Sequence, residues 1–298
     1  MKKVIFFLSV SLLLSASLIG QTVNSDIGKI NLTTVAQVNQ GESYITFPTD
    51  IGNIEPLWFE GNIIPSFYLR VSKDSRLMGV VIPQVIIRMY QKESFPVQTP
   101  SYLPQIVAYY QLNSMADANS ISLFGKIAHH SNGQDGEFYL PDGNINTLNG
   151  SFATNFYELG FIKTGYRPRY NAVQFISTAM EIHPNKLSMP ELEGIYGMYR
   201  WNTIFSIFKI PQNHDNTYKK AAFSIKAKST WMFGKINNLS SFSPRRLNVS
   251  LTLYYHPKFF EDIGFFAQIY HGMDYYNIYF DHQISVIRFG IMTEKLRF

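Results

Sequence analysis

The stretch NVSLTLYY, residues 248–255, alternates without a break: Val249, Leu251, Leu253 and Tyr255 fall on one face and Asn248, Ser250, Thr252 and Tyr254 on the other. A period of two with one apolar and one polar face is the mark of a strand whose two sides meet different surroundings. The pattern recurs in both directions along the chain. In LPQIVAYYQLN, Pro104, Ile106, Ala108, Tyr110 and Leu112 oppose Gln105, Tyr109, Gln111 and Asn113. In IGFFAQIYHGM, Ile263, Phe265, Ala267, Ile269 and Met273 oppose Gln268 and Tyr270. Segments 77–92 and 279–293 alternate poorly, so their register stays open. From residue 61 about eleven such segments follow one another, separated by turn-rich pieces in which short and long connectors take turns. That is the rhythm of antiparallel hairpins with short turns at one end and longer loops at the other.

Composition narrows the surroundings. The chain has 298 residues, 16% charged and 15% aromatic, and no cysteine. Without cysteine there is no disulfide, thiol nucleophile or thiolate metal site. Few charges and many aromatics suit a large apolar core or a lipid-facing wall. The net charge is +5, but no basic helix or Lys/Arg cluster points to nucleic acid, and an anionic membrane surface is the better partner. Lys2 and Lys3, the apolar run VIFFLSVSLLL and the small residues of SASLIGQ read as a signal peptide over residues 1–20, cut between Ser17 and Gln21. No later apolar run approaches the roughly 20 residues of a spanning helix. The expectation is an exported, all-β, transmembrane antiparallel barrel. Bacterial barrels have even strand numbers, so eleven segments imply about twelve strands, the extra one within residues 43–60. Residues 21–60, irregular in texture, are expected to be an N-terminal periplasmic arm with a possible first strand, and residues 61–298 the barrel. A terminal Phe298 fits the closing strand of such a barrel. A soluble secreted sandwich is the alternative.

Chemistry concentrates in HHSNGQDG, residues 129–136. In SISLFGKIAHHS the odd positions Ile121, Leu123, Ile127, His129 and Ser131 form the apolar row, which faces outward in a barrel. His129 and Ser131, two residues apart on one face, lie within hydrogen-bond reach. In the next segment Asn155 is the polar member of the row Tyr157, Leu159 and Phe161. Paired as a hairpin, the segments bring serine, histidine and amide together. Histidine can then take the serine proton while the amide fixes the ring. The plainer reading is an ordinary polar rim. His271 and His282, near strand ends, read as interfacial residues rather than metal ligands. The Asn-x-Ser/Thr triplets at Asn31, Asn149, Asn238 and Asn248 read as chance.

At His129, His130, Ser131, Asn132 and Gly133, followed by Ser151 and Asn155, the sequence resembles the outer membrane phospholipase A family, whose pattern is His-x-Ser-Asn-Gly with a later asparagine four residues after a serine. FPVQTPSYLPQIVAYYQL with Pro96, Tyr102, Pro104 and Gln105, the YITFPTDIGN segment, and FFAQIYHGMDYYNIYFDHQISVIRFGIM also resemble it. The likeness runs weakly over residues 43–298. It implies a twelve-stranded barrel in the bacterial outer membrane that hydrolyses the sn-1 or sn-2 acyl esters of membrane glycerophospholipids and acts as a calcium-bound homodimer. Carried over, Ser131 is the nucleophile, His129 the base and Asn155 the orienting residue. Ser94, Gln134 and Ser151 match calcium-ligand positions, Gln134 replacing an arginine that acts through its backbone. A further ligand corresponds to Ser188 or Glu191, which the resemblance leaves open, and the loop between Ser131 and Asn155 carries extra acids, Asp135, Glu137 and Asp142. The competing readings are a non-catalytic barrel, either pore or structural protein, and a lipid A deacylase.

Overall fold

The computed structural model describes residues 30–47, 57–72, 74–91, 93, 97, 99–113, 119–210, 221–293 and 296. The expected signal peptide, Ser94 and Phe298 lie outside them. The strands are β1 Tyr44–Thr46, β2 Leu57–Ile63, β3 Phe67–Leu69, β4 Leu77–Tyr90, β5 Ser101–Gln111, β6 Ser120–Ser131, β7 Ala153–Arg167, β8 Ala172–Ile182, β9 Tyr199–Lys209, β10 Phe223–Phe233, β11 Leu247–Tyr255, β12 Ile263–Met273 and β13 Gln283–Thr293. Each from β4 onward pairs antiparallel with the next. β1 joins β13 to β2, and β2 and β3 lie end to end along β4. Counting β2 and β3 as one stave, the thirteen strands close into a twelve-stave barrel.

Closure rests on β1, which aligns only three residues with β13. A buried ionic cluster spans the same seam. Glu60 of β2 accepts from Arg288 of β13 and Arg88 of β4, each at 2.8 Å. Arg88 also forks onto Asp274 at 2.7 and 2.9 Å. Tyr44 and Tyr275 donate to Glu60 at 2.6 and 2.5 Å. Every buried charge here has an opposite charge and hydrogen bonds, the condition under which such groups are tolerated.

The outer wall is apolar. Ile106, Ile127, Leu159 and Ile269 are 59%, 59%, 71% and 55% exposed, while Ser122, Glu158, Asn202 and Thr252 face in and are buried. This inverts the arrangement of a protein with an apolar core, and it is what a barrel crossing a bilayer requires. Inside, Lys126 meets Glu158 at 2.5 Å. Asn202 bridges Glu158 and Glu181.

Both ends of the lumen are filled. Residues 32–40, within the stretch read as irregular, form a helix, α1 (Leu32–Gln40). Asn31 caps it, its side chain accepting from Thr34 N–H. Leu32, Val35, Ala36 and Val38 pack on Met78, Val80, Tyr109, Phe175 and Phe208 at the short-turn end. Fully burying a Leu or Val side chain contributes about 1.5–3 kcal/mol. Beyond it Asn39 bonds Tyr109 and Ser177. At the other end the long loops turn in, stacking Phe138, Phe152, Tyr196, Tyr276 and Phe280. A polar cavity of about 410 Å³ lies between.

Candidate active site

β6 and β7 run in register over their whole shared length, and this sets His129 directly opposite Asn155 and Ser131 opposite Ala153. The strand period then decides which way each residue faces. Ile127 and Tyr157, one step along the same rows, are exposed on the outer wall, while His130 and Thr154 between the site residues are buried in the lumen. His129, Ser131 and Asn155 therefore project outward at the long-loop rim.

Asn155 is held from both ends of its amide. Its Nδ2 donates to Leu187 O at 2.6 Å, and its Oδ1 lies 2.9 Å from His129 Nδ1. The first bond fixes which amide atom faces the ring, since the carbonyl of Leu187 can only accept. Oδ1 is an acceptor, so Nδ1 carries the proton and Nε2 has the free lone pair. Ser131 sits two residues from His129 on the same face. A neutral histidine with its lone pair directed away from the orienting amide is the state in which it can accept a hydroxyl proton.

The carbonyl that fixes Asn155 is itself anchored. Ser188, next to Leu187, bonds Thr154 Oγ1 at 2.7 Å and Pro184 O at 3.1 Å. Thr154 also bonds His183 Nδ1 at 2.9 Å, and His183 Nε2 lies 2.8 Å from Glu181. Burial pushes the His183 imidazole below the ordinary histidine value. A lumen network thus reaches through the wall to the residues behind the outward site.

Asn132 of the motif is a buried staple. Its Oδ1 accepts from Phe152 N–H at 3.0 Å and Gln134 N–H at 3.2 Å, and its Nδ2 donates to Gly150 O at 2.8 Å. These bonds close the 132–152 loop at its base. Gly150 must be glycine: a Cβ there would sit 2.4 Å from Asn146 O and 2.9 Å from Ile278.

Gln134 and Ser151 leave this staple on its two arms, Gln134 exposed and Ser151 half-buried. Ser188 is committed to the contacts above. Glu191 differs, with Oε2 buried and without a hydrogen-bond partner among the described residues. Asp135, Glu137 and Asp142 are exposed. Asp142 accepts from Asn144 N–H at 3.0 Å, and that bond holds its carboxyl below the usual carboxylate range. Among the described residues no three His, Asp or Glu side chains gather into a metal-ligating group.

One feature escaped the sequence reading. His271, expected to stand alone at the rim, lies opposite Ser285 in the β12–β13 ladder, with His271 Nδ1 2.6 Å from Ser285 Oγ and Nε2 3.2 Å from Gln283 Nε2. The signal was present as alternating Gln283 and Ser285, but the register of 279–293 was not legible.

The sequence matches no family model and no curated protein. The fold has counterparts among solved structures. Outer membrane phospholipase A from Escherichia coli superposes with a TM-score of 0.59 at 11% identity, over 89% of this chain and 99% of that one. An active-site mutant of the same protein, an asparagine replaced by alanine, superposes at 0.57 and 10% identity, over 92% and 95%. The Salmonella typhi outer membrane phospholipase, a dimer with bound calcium, superposes at 0.55 and 12%, over 91% and 99%. This chain has the fold of those barrels.

Proposed function

We propose that this chain is a calcium-dependent phospholipase of the bacterial outer membrane, hydrolysing acyl esters of glycerophospholipids with Ser131 as nucleophile, His129 as base and Asn155 as the orienting residue. The observation that carries the reading is the pair of bonds on Asn155, which leaves His129 Nε2 as an acceptor on the face that bears Ser131. The fold shared with phospholipases, one of whose mutants is described as an active-site asparagine replacement, supports the same reading.

The chemistry follows from that geometry. His129 Nε2 takes the Ser131 hydroxyl proton as Oγ attacks the ester carbonyl. The imidazolium returns the proton to the departing lysolipid oxygen. Water, deprotonated by His129 in turn, then releases the fatty acid from the acyl-serine. Asn155 holds the ring throughout, though a neutral amide stabilises the imidazolium less than a carboxylate does. The outward position suits the substrate, because glycerophospholipid esters lie near the boundary of headgroup and hydrocarbon. Tyr157, Leu159 and Phe161 below the site offer apolar surface to acyl chains.

Gln134 and Ser151 offer neutral oxygens and Glu191 a carboxylate oxygen, the hard donors calcium takes. Glu191 Oε2, buried and without a hydrogen-bond partner among the described residues, favours Glu191 over Ser188 as the later ligand, since an adjacent cation would compensate it. Calcium bound there supplies Lewis-acid stabilisation of the oxyanion. The dimeric state of the Salmonella neighbour supports a homodimer that pairs two apolar walls.

The test is fatty-acid release from mixed phospholipid–detergent micelles by refolded wild type and Ser131→Ala, with calcium and with chelator. Release that needs both Ser131 and calcium supports the reading. Conductance without release would favour the non-catalytic barrel, and release from lipid A alone the deacylase.

A further inference from the structure

The second histidine cluster lies on the opposite wall. In the ring order four staves lie between the β6–β7 hairpin and the β12–β13 hairpin on either side, so the two sites sit across a diameter of the twelve-stave barrel. Both occupy the long-loop rim and face outward. Below the second site on its two strands are the exposed Ile269, Ile287 and Phe289.

Its hydrogen bonds run in one direction. Arg245 Nε, from the β10–β11 loop, donates to Gln283 Oε1 at 3.2 Å. That fixes the amide so that Nε2, a donor, faces His271 Nε2. His271 therefore accepts on Nε2 and carries its proton on Nδ1, which donates to Ser285 Oγ at 2.6 Å. The Ser285 hydroxyl hydrogen is left to point away from the ring. His271 cannot take the Ser285 proton in this state, so the cluster is not a nucleophile. It ends instead in donors: the Ser285 hydroxyl and the terminal nitrogens of the exposed Arg245, which have no partner among the described residues. The neighbouring acid, Asp281, has its carboxylate 2.8 Å from His282.

We infer that Arg245, Gln283, His271 and Ser285 form a binding site for the phosphate of an anionic lipid seated against the β12–β13 wall. Phosphate oxygens accept from Arg245 and Ser285, and the acyl chains lie on Ile269, Ile287 and Phe289. A guanidinium with hydroxyl donors is the chemistry that recognises phosphate. Donors at the rim above an apolar wall match a molecule with phosphate above hydrocarbon, which free phosphate does not. The inference rests on the lipid-facing wall but not on catalysis.

The test is native mass spectrometry of the detergent-solubilised full chain without calcium, offered ether-linked phosphatidic acid or ether-linked phosphatidylcholine. Ether lipids have no acyl ester, so hydrolysis plays no part. Wild type should retain phosphatidic acid at least about tenfold over phosphatidylcholine. Arg245→Gln and Ser285→Ala should each lower that retention several-fold and leave fatty-acid release from ester lipids unchanged. Equal retention of the two lipids, or retention untouched by either variant in folded protein, would overturn the proposal. So would displacement by millimolar inorganic phosphate, which would mean a site for the free ion. Ser131→Ala should retain phosphatidic acid as wild type does, so a failed phospholipase reading leaves this result readable.

Discussion

On the β6–β7 wall and on the β12–β13 wall the barrel presents the same three kinds of side chain, a histidine, a serine and an amide, at the same rim and facing the same way. The difference lies in which end of the amide meets the ring. Leu187 O takes the nitrogen of Asn155, so an oxygen faces His129. Arg245 takes the oxygen of Gln283, so a nitrogen faces His271. The first ring is left with a free lone pair on the face that bears Ser131, and the second gives its proton to Ser285. Residue types alone therefore do not define a hydrolytic site. The partner one bond further out decides between base and donor, as outer partners decide the tautomer of histidines generally.

The comparison breaks most visibly at the serines. Ser131→Ala and His129→Ala should each cut fatty-acid release by about 10⁴–10⁶-fold, the scale seen when the nucleophile or base of such a unit is lost. Ser285→Ala should leave release unchanged. If Ser285→Ala abolishes release instead, the assignment of the two walls is reversed. The amides come next. Asn155→Ala should lower kcat by roughly 10²-fold with little change in KM, Asn155→Asp should retain most activity, and Gln283→Ala should do nothing to turnover. A smaller effect is expected at the staple. Asn132→Ala removes the bonds to Phe152, Gln134 and Gly150 and should cost about 1–3 kcal/mol, read as earlier unfolding in denaturant, with release reduced because the loop base carries Ser131.

The smallest effect is a pH dependence near the second wall. Asp281 raises the affinity of His282 for a proton. The raised folded-state value means the pair adds stability at pH values below the ordinary histidine range, and that this is lost as pH rises through the folded value. His282 is partly exposed, so the contribution should be under about 1 kcal/mol. His282→Ala should therefore destabilise the barrel slightly near pH 5.5 and not near pH 9, measured by thermal unfolding.

Much of the barrel was legible because its outer and inner surroundings differ so sharply. Val249, Leu251 and Leu253 alternate with Ser250 and Thr252, and they face lipid and lumen as the period requires. β4 was illegible for the converse reason. Met78, Val80 and Ile82 face inward, but against the apolar face of α1, so both sides of that strand are apolar and the alternation disappears. The helix was missed although Asn31 announces it. The same asparagine that forms a chance glycosylation triplet is an N-cap, followed by Leu32, Val35 and Ala36 at helical spacing. At the outward site, parity within β6 and β7 was enough to align His129 with Asn155. No local pattern could give Leu187 or Arg245, because each arrives from another loop.

Covalent trapping distinguishes the two serines directly. The full chain in micelles would be treated with a serine-reactive sulfonyl fluoride bearing an acyl chain, and the adducts located by peptide mass spectrometry. Ser131 should be modified, the modification should be lost in His129→Ala, and Ser285 should stay unmodified. An adduct on Ser285, or equal labelling of Ser131 with and without His129, would contradict the assignment of the two serines.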